Sequence, residues 1–134
     1  MDVVGHGVDI QDISFFARLG ESATRDLLAA YFTDSELAHA GDGPNRGAHL
    51  AGRYAAKEAV LKALGTRLTG EATPADIEIR ALASGAPSVS LHGPCAELAA
   101  ALGIQRWVLS ISHSDSTAVA SVLALGVPGS ASSC

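Results

Sequence analysis

The stretch Leu50-Ala51-Gly52-Arg53-Tyr54-Ala55-Ala56-Lys57-Glu58-Ala59-Val60-Leu61-Lys62-Ala63-Leu64 decides how the chain is read. Its helix-forming residues run unbroken, and Gly65 is a natural stop. On a wheel advancing about 100° per residue, Leu50, Tyr54, Val60, Leu61 and Leu64 form a bulky apolar stripe. Ala51, Gly52, Ala55, Ala56, Ala59 and Ala63 form a broad face of small residues. No wide polar face remains, so the helix is expected to be buried on two sides. Yet it carries Arg53, Lys57, Glu58 and Lys62. Glu58 and Lys62 sit one turn apart, in the order that favours an i,i+4 pair, on the boundary between stripe and small face. They either staple the helix or face a ligand. A desolvated charge needs a partner, and a metal ion with a phosphate would supply one for each.

Upstream, Val3 to Ile10 reads as a strand with unequal faces: Val4, His6, Val8 and Ile10 on one, Gly5, Gly7 and Asp9 on the other. Two glycines beside a carboxylate leave space that suits either a ligand near the backbone or tight packing. Ile13 to about Ala30 is predicted helical with a break near Gly20, and Thr33-Asp34-Ser35-Glu36 resembles a capping box opening a short helix. Gly41 to Asn45 has loop chemistry. Downstream of a Gly/Thr/Pro-containing loop, Asp76 to Leu82 and Ser88 to Leu91 read as strands around the turn Ser84-Gly85-Ala86-Pro87. Pro94 to Leu102 fits a helix ended by Gly103. Trp107 to Ser112 and Thr117 to Leu125 make two strands around His113-Ser114-Asp115-Ser116. One domain over residues 1–125 is expected, with 126–134 as a flexible tail.

The bulk properties narrow the function classes. In 134 residues, hydrophobic residues make up 48% and charged residues 17%, a globular composition, but only 4% are aromatic. A core of such small pieces is thin for a monomer and makes a subunit interface plausible. The net charge of -5 argues against a general nucleic-acid binder. No apolar run approaches the roughly 20 residues of a membrane helix. Met1-Asp2-Val3 lacks the basic start of a secretory signal, and Cys95 and Cys134 have no metal-ligand spacing, so a cytoplasmic protein with free thiols is expected. No phosphate-binding Gly-rich fingerprint of the common nucleotide folds is present. His6, His39, His49 and His92 show no mutual metal spacing and read as surface or structural residues. His113, where a strand enters a turn, is better placed for a ligand.

Gly5-His6-Gly7-Val8-Asp9-Ile10, the block Arg53 to Gly65, Gly85-Ala86-Pro87, and Ser110-Ile111-Ser112-His113-Ser114 together resemble the holo-acyl-carrier-protein synthase family, in its order and spacing and over nearly the whole chain. The resemblance implies an α+β fold in which a small antiparallel sheet packs with a long central helix, assembled as a homotrimer with active sites between subunits. It implies a reaction, transfer of 4'-phosphopantetheine from coenzyme A to a serine of an apo-acyl carrier protein of fatty-acid or polyketide synthesis, releasing adenosine 3',5'-bisphosphate. By the same resemblance Asp9 and Glu58 hold Mg²⁺, and Lys62 stands near the scissile pyrophosphate, these three being the catalytic set. Arg53, Lys62, Gly65, Pro87 and His113 would hold coenzyme A, with Arg46 a weaker candidate. The chemistry agrees: Mg²⁺ is commonly held by one or two carboxylates plus substrate phosphates and waters. Glu58, or a metal-bound water beside it, would take the serine proton, and Lys62 would stabilise charge on the leaving phosphate.

The match departs at Phe15, where many relatives carry a basic residue, six places after the metal aspartate, that grips the acidic carrier. Phe16 follows, and the nearest basic residues are Arg18 and Arg25. Either Phe15 is core, or Phe15 and Phe16 form an apolar docking patch.

Overall fold

The computed structural model describes residues 1–65 and 73–127. Strand β1 (Asp2–Asp12) leads into helices α1 (Ile13–Ser22), α2 (Arg25–Ala29), α3 (Asp34–Ala40) and the long α4 (Arg46–Leu64). A short 3-10 turn (Pro74–Asp76) precedes the hairpin β2 (Ile77–Ala81) and β3 (Pro87–Leu91), then α5 (Gly93–Ala101), β4 (Ile104–His113) and β5 (Thr117–Gly126). The main sheet is antiparallel in the order β1-β5-β4, and β2-β3 is a separate antiparallel pair. The α+β expectation is met.

Helix α4 lies across the main sheet, buried over most of its length as its two apolar faces require. The small residues decide how closely it lies. A Cβ on Gly5 would sit 2.5 Å from the Ala63 carbonyl oxygen, and one on Gly7 would overlap the Ala59 carbonyl. Ala118, Ala120, Val122 and Ala124 of β5 are fully buried on the same side. Space beside Asp9 is thus filled by helix backbone. Consequently the bulkier face of β1 points outward, leaving Val8 and Ile10 exposed, with Val108 of β4 exposed too.

Several boundaries differ from those expected, β4 for example starting at Ile104 and not Trp107. The first helical stretch breaks at Thr24, not Gly20, because the Thr24 hydroxyl caps α2 by accepting from the Leu27 N–H. Gly20 stays helical, close against Arg46 and Leu50. Helix α4 begins four residues early, at Arg46. Strand β5 runs through Gly126, paired to Asp2 and Ile104; the rest of the expected tail, 128–134, lies outside the described residues, as does 66–72 of the expected loop.

The Thr33 capping box forms, and its glutamate has a second task. Glu36 Oε1 accepts from the Thr33 N–H at 2.8 Å and also pairs with Lys57 Nζ at 2.8 Å, both side chains fully buried. Lys57 donates further to the carbonyls of Pro74 (2.8 Å) and Ile77 (2.6 Å), while Glu36 Oε2 accepts from the Ile79 N–H at 2.8 Å. This satisfied pair joins α3, α4 and β2. Lys57→Met should lower the unfolding free energy by about 3–5 kcal/mol, because it leaves Glu36 buried and uncompensated. Adding Glu36→Leu should recover much of the loss in urea denaturation. A single variant as stable as wild type would contradict this role.

Candidate active site

Because β1 and α4 touch, Asp9 comes to the side of α4 that carries Lys62. Lys62 Nζ donates to Asp9 Oδ1 at 3.0 Å and to the Val8 carbonyl at 2.9 Å. Of the two alternatives for Lys62, the i,i+4 pair with Glu58 is not the one formed, since Lys62 reaches the strand edge instead. Gln11 Nε2 donates to Asp9 Oδ2 at 2.7 Å. Both oxygens of Asp9 are therefore engaged, one by a cation.

Glu58, one turn before Lys62, is partly exposed and lines a cavity of about 470 Å³ with Gln11, Tyr54, Tyr31, Phe15 and Phe16 among others. Burial, and then the Glu58 carboxylate beside it, pushes the Tyr54 phenol up to about 12, with Tyr31 and Asp9 adding to the effect. Asp9 and Glu58 thus act on one phenol from strand and helix. Two carboxylates without a third form no closed protein cage, and among the described residues no cluster of three acidic, His or Cys groups exists. This donor set fits Mg²⁺, which takes the rest of its shell from phosphate and water. Phe16 is core, 3% exposed against Phe32 and Tyr54, whereas Phe15 is 52% exposed. The apolar patch therefore keeps only its first member.

A second cavity, of about 210 Å³, gathers Arg53, Pro87 and His113 with His49, Gly52 and Gly85. The Ser84–Pro87 turn is shaped by Gly85, whose φ of +88° lies in the left-handed region. His113 Nδ1 lies 3.1 Å from the Ser114 carbonyl oxygen; donation there would leave Nε2 for another partner. Burial pulls the Arg53 guanidinium below its usual range, with the Glu36 carboxylate opposing. Gly65 caps α4 in a left-handed conformation, φ +75°, and lines neither cavity. Arg46 lies apart, donating to the Gly41 carbonyl and lining a different cavity.

Arg53 and Glu58 are five residues apart, so they project about 140° from each other around α4. Asp9 lies on β1 and His113 on β4, the two outer strands of the main sheet. With strands about 4.8 Å apart, the two clusters flank the sheet at roughly 10 Å or more. Within one copy the predicted residues form two groups, not one.

The reading of the sequence missed three residues at these sites. Gln11 follows Asp9 by two on one strand face, and Tyr54 and His49 each stand four places from Glu58 and Arg53 on the helix. Both periodicities were available.

Residues 5–120 match the sequence profile of the 4'-phosphopantetheinyl transferase superfamily. The chain belongs to this superfamily. As a 4'-phosphopantetheinyl transferase it is 42% identical to the holo-acyl-carrier-protein synthase of Geotalea daltonii over 88% of this chain and 94% of that one. Its fold is similar to the crystal structure of the holo-acyl-carrier-protein synthase of Neisseria meningitidis (TM-score 0.78, 31% identity, 92% of this chain and 99% of that one). It is also similar to the Helicobacter pylori synthase in complex with coenzyme A (TM-score 0.77, 28% identity, 90% and 99%). No helix among the described residues is long and apolar enough to cross a membrane.

In this transferase the Tyr54 phenol should titrate near 12 in an ultraviolet difference titration. The phenol is protonated in the fold and ionises near 10 when unfolded. Its contribution to stability is therefore complete below about pH 10 and is lost as pH rises towards 12. Glu58→Gln should lower the Tyr54 value but leave it above 10, because burial is the larger cause. A value unmoved by Glu58→Gln would separate the two groups.

Proposed function

We propose that this transferase moves 4'-phosphopantetheine from coenzyme A to a serine of an apo-acyl carrier protein, in the cytoplasm, with release of adenosine 3',5'-bisphosphate. The observation that carries the reading is the Asp9–Lys62 ion pair on the β1 side, beside the cavity that Glu58 shares with Gln11, with Arg53, Pro87 and His113 gathered on the β4 side. Mg²⁺ held by Asp9 and Glu58 would neutralise pyrophosphate charge and favour in-line displacement.

The chain's own residues supply the rest. The serine oxygen bonds to the pantetheine-side phosphorus, and the bond from that phosphorus to the bridging oxygen breaks, leaving the electron pair on the bisphosphate. Lys62, half-exposed and on a flexible stem, swings from Asp9 to the leaving phosphate and stabilises its charge. Glu58, or a water beside it, accepts the serine proton. Arg53, Pro87 and His113 hold the nucleotide end, whereas Gly65 ends α4 about 18 Å along the helix from Arg53 and stands outside that group.

The two clusters of one copy lie at opposite edges of the sheet, which favours a site completed by a second copy. We propose that the β1 edge of one copy meets the β4 edge of the next in a closed homotrimer. The exposed Val8, Ile10 and Val108 on the outer sheet face support such burial, and the thin core favours it. Phe15, exposed at the mouth of the Glu58 cavity, then offers the carrier an apolar contact.

Intact mass spectrometry of apo-carrier incubated with coenzyme A and Mg²⁺ tests the machinery. Asp9→Ala and Glu58→Ala should each abolish modification with the fold retained, as should EDTA on the wild type. Persistent turnover in either variant would refute the metal assignment. Phe15→Arg should reduce kcat/KM on the cognate carrier by roughly 5–10-fold, the loss of one interface anchor; an unchanged or faster rate would reject the apolar contact.

A further inference from the structure

The cavity around Pro87 gathers more basic side chains than Arg53 and His113 alone. His49 is part of its wall, one turn before Arg53 on α4. Behind His49 stands His39 of α3, with ring centroids 6.0 Å apart and planes edge to face. Helix α4 and strand β4 thus bring two imidazoles and a guanidinium to the cavity wall, with the His39 imidazole of α3 behind His49. Among the described residues, none that lines the cavity is acidic. The carboxylate that acts on Arg53 is that of Glu36, which is already committed to Lys57 and two backbone amides.

Such a wall is unbalanced until an anion arrives. Burial is the first cause that holds the His49 imidazole below its ordinary range, and the neighbouring charges of Arg53, His39 and His113 lower it further. Around neutral pH the free protein therefore keeps His49 uncharged. A phosphate in the cavity would reverse the local field, favouring the imidazolium and accepting a charge-assisted hydrogen bond from it. At about 210 Å³ the space is below the ~300–1,000 Å³ usual for whole small-molecule ligands. It suits one phosphorylated end of a long ligand.

We propose that His49 is a proton-linked phosphate contact of the nucleotide end, taking up a proton as the anion enters and so tightening binding as pH falls. This rests on the reading of the Arg53, Pro87 and His113 cavity as the nucleotide site. The linkage is reciprocal: a ligand that raises proton affinity must itself bind more tightly where protons are abundant.

The test is titration calorimetry with adenosine 3',5'-bisphosphate from about pH 6.5 to about pH 8.5, above the second ionisation of a phosphate monoester near 6. Buffers of different ionisation enthalpy give the proton uptake. Wild-type protein should take up protons on binding and bind up to ~10-fold more weakly per pH unit for each linked proton. His49→Gln should bind about 10-fold more weakly at the acid end, with a shallower pH dependence and less proton uptake. His49→Lys, charged throughout, should keep its affinity at the alkaline end with the same reduced uptake. His113→Gln should leave the contribution of His49 in place. Equal affinity, slope and uptake in wild type and both His49 variants would overturn the inference while leaving the nucleotide site intact. No binding of the bisphosphate to wild type at any pH would overturn that site reading, and the inference with it.

Discussion

Strand β1 can lie against α4 only because Gly5 and Gly7 present no side chain where the carbonyls of Ala63 and Ala59 approach. A methyl group at either place would push the strand away, and overpacking of this kind typically costs about 1–3 kcal/mol. The distance it protects matters more than the energy. Asp9, two residues beyond Gly7, reaches Lys62 at 3.0 Å only while strand and helix touch. The glycine pair that could be read as room for a ligand is room for a helix, and the carboxylate at its end is what the ligand would meet.

Contact alone does not set which way α4 turns about its axis. The buried pair of Lys57 and Glu36 does this, by fixing one long side chain inward through hydrogen bonds to α3, the 3-10 turn and β2. With Lys57 held inward, its neighbour Glu58 projects towards the β1 side and Arg53 towards the β4 side. Buried ion pairs add little net stability against an apolar pair of the same shape. Here the pair specifies an orientation, and the positions of both candidate clusters follow from it.

Much of this was legible in the sequence. The crowded wheel of α4, with no broad polar face, predicted a helix buried on two sides. The alternation Gly5, Gly7, Asp9 put the carboxylate on the same strand face as the two glycines, with ligand and tight packing both open, and Gly65 and Gly103 marked helix ends. What escaped depends on contacts distant in the chain. Nothing near Lys57 names Glu36 as its partner, and the capping role of Glu36 hides its second task. Glu58 and Lys62 have textually perfect pair spacing, yet Lys62 bonds the strand, because only the fold brings Asp9 within reach. His49 reads as an ordinary surface histidine until His39, Arg53 and His113 gather around it from three elements. The Thr24 cap, a local signal, was overshadowed by Gly20, whose small size serves packing against Arg46 and Leu50.

The separation of the two clusters shapes the account of catalysis. Asp9, Lys62 and Glu58 stand on the β1 side, Arg53 and His113 on the β4 side, with β5 between them. The proposed site drawn from two copies would also cover the valine and isoleucine exposed on the sheet. Co-expression of Asp9→Ala with Arg53→Ala, each inactive alone, tests this most directly. In a closed ring mixed at random, each site takes one half from each neighbour, so about a quarter of the sites would be intact. The account predicts carrier modification at about a quarter of the wild-type rate. Mixed assemblies no more active than either variant alone would contradict it.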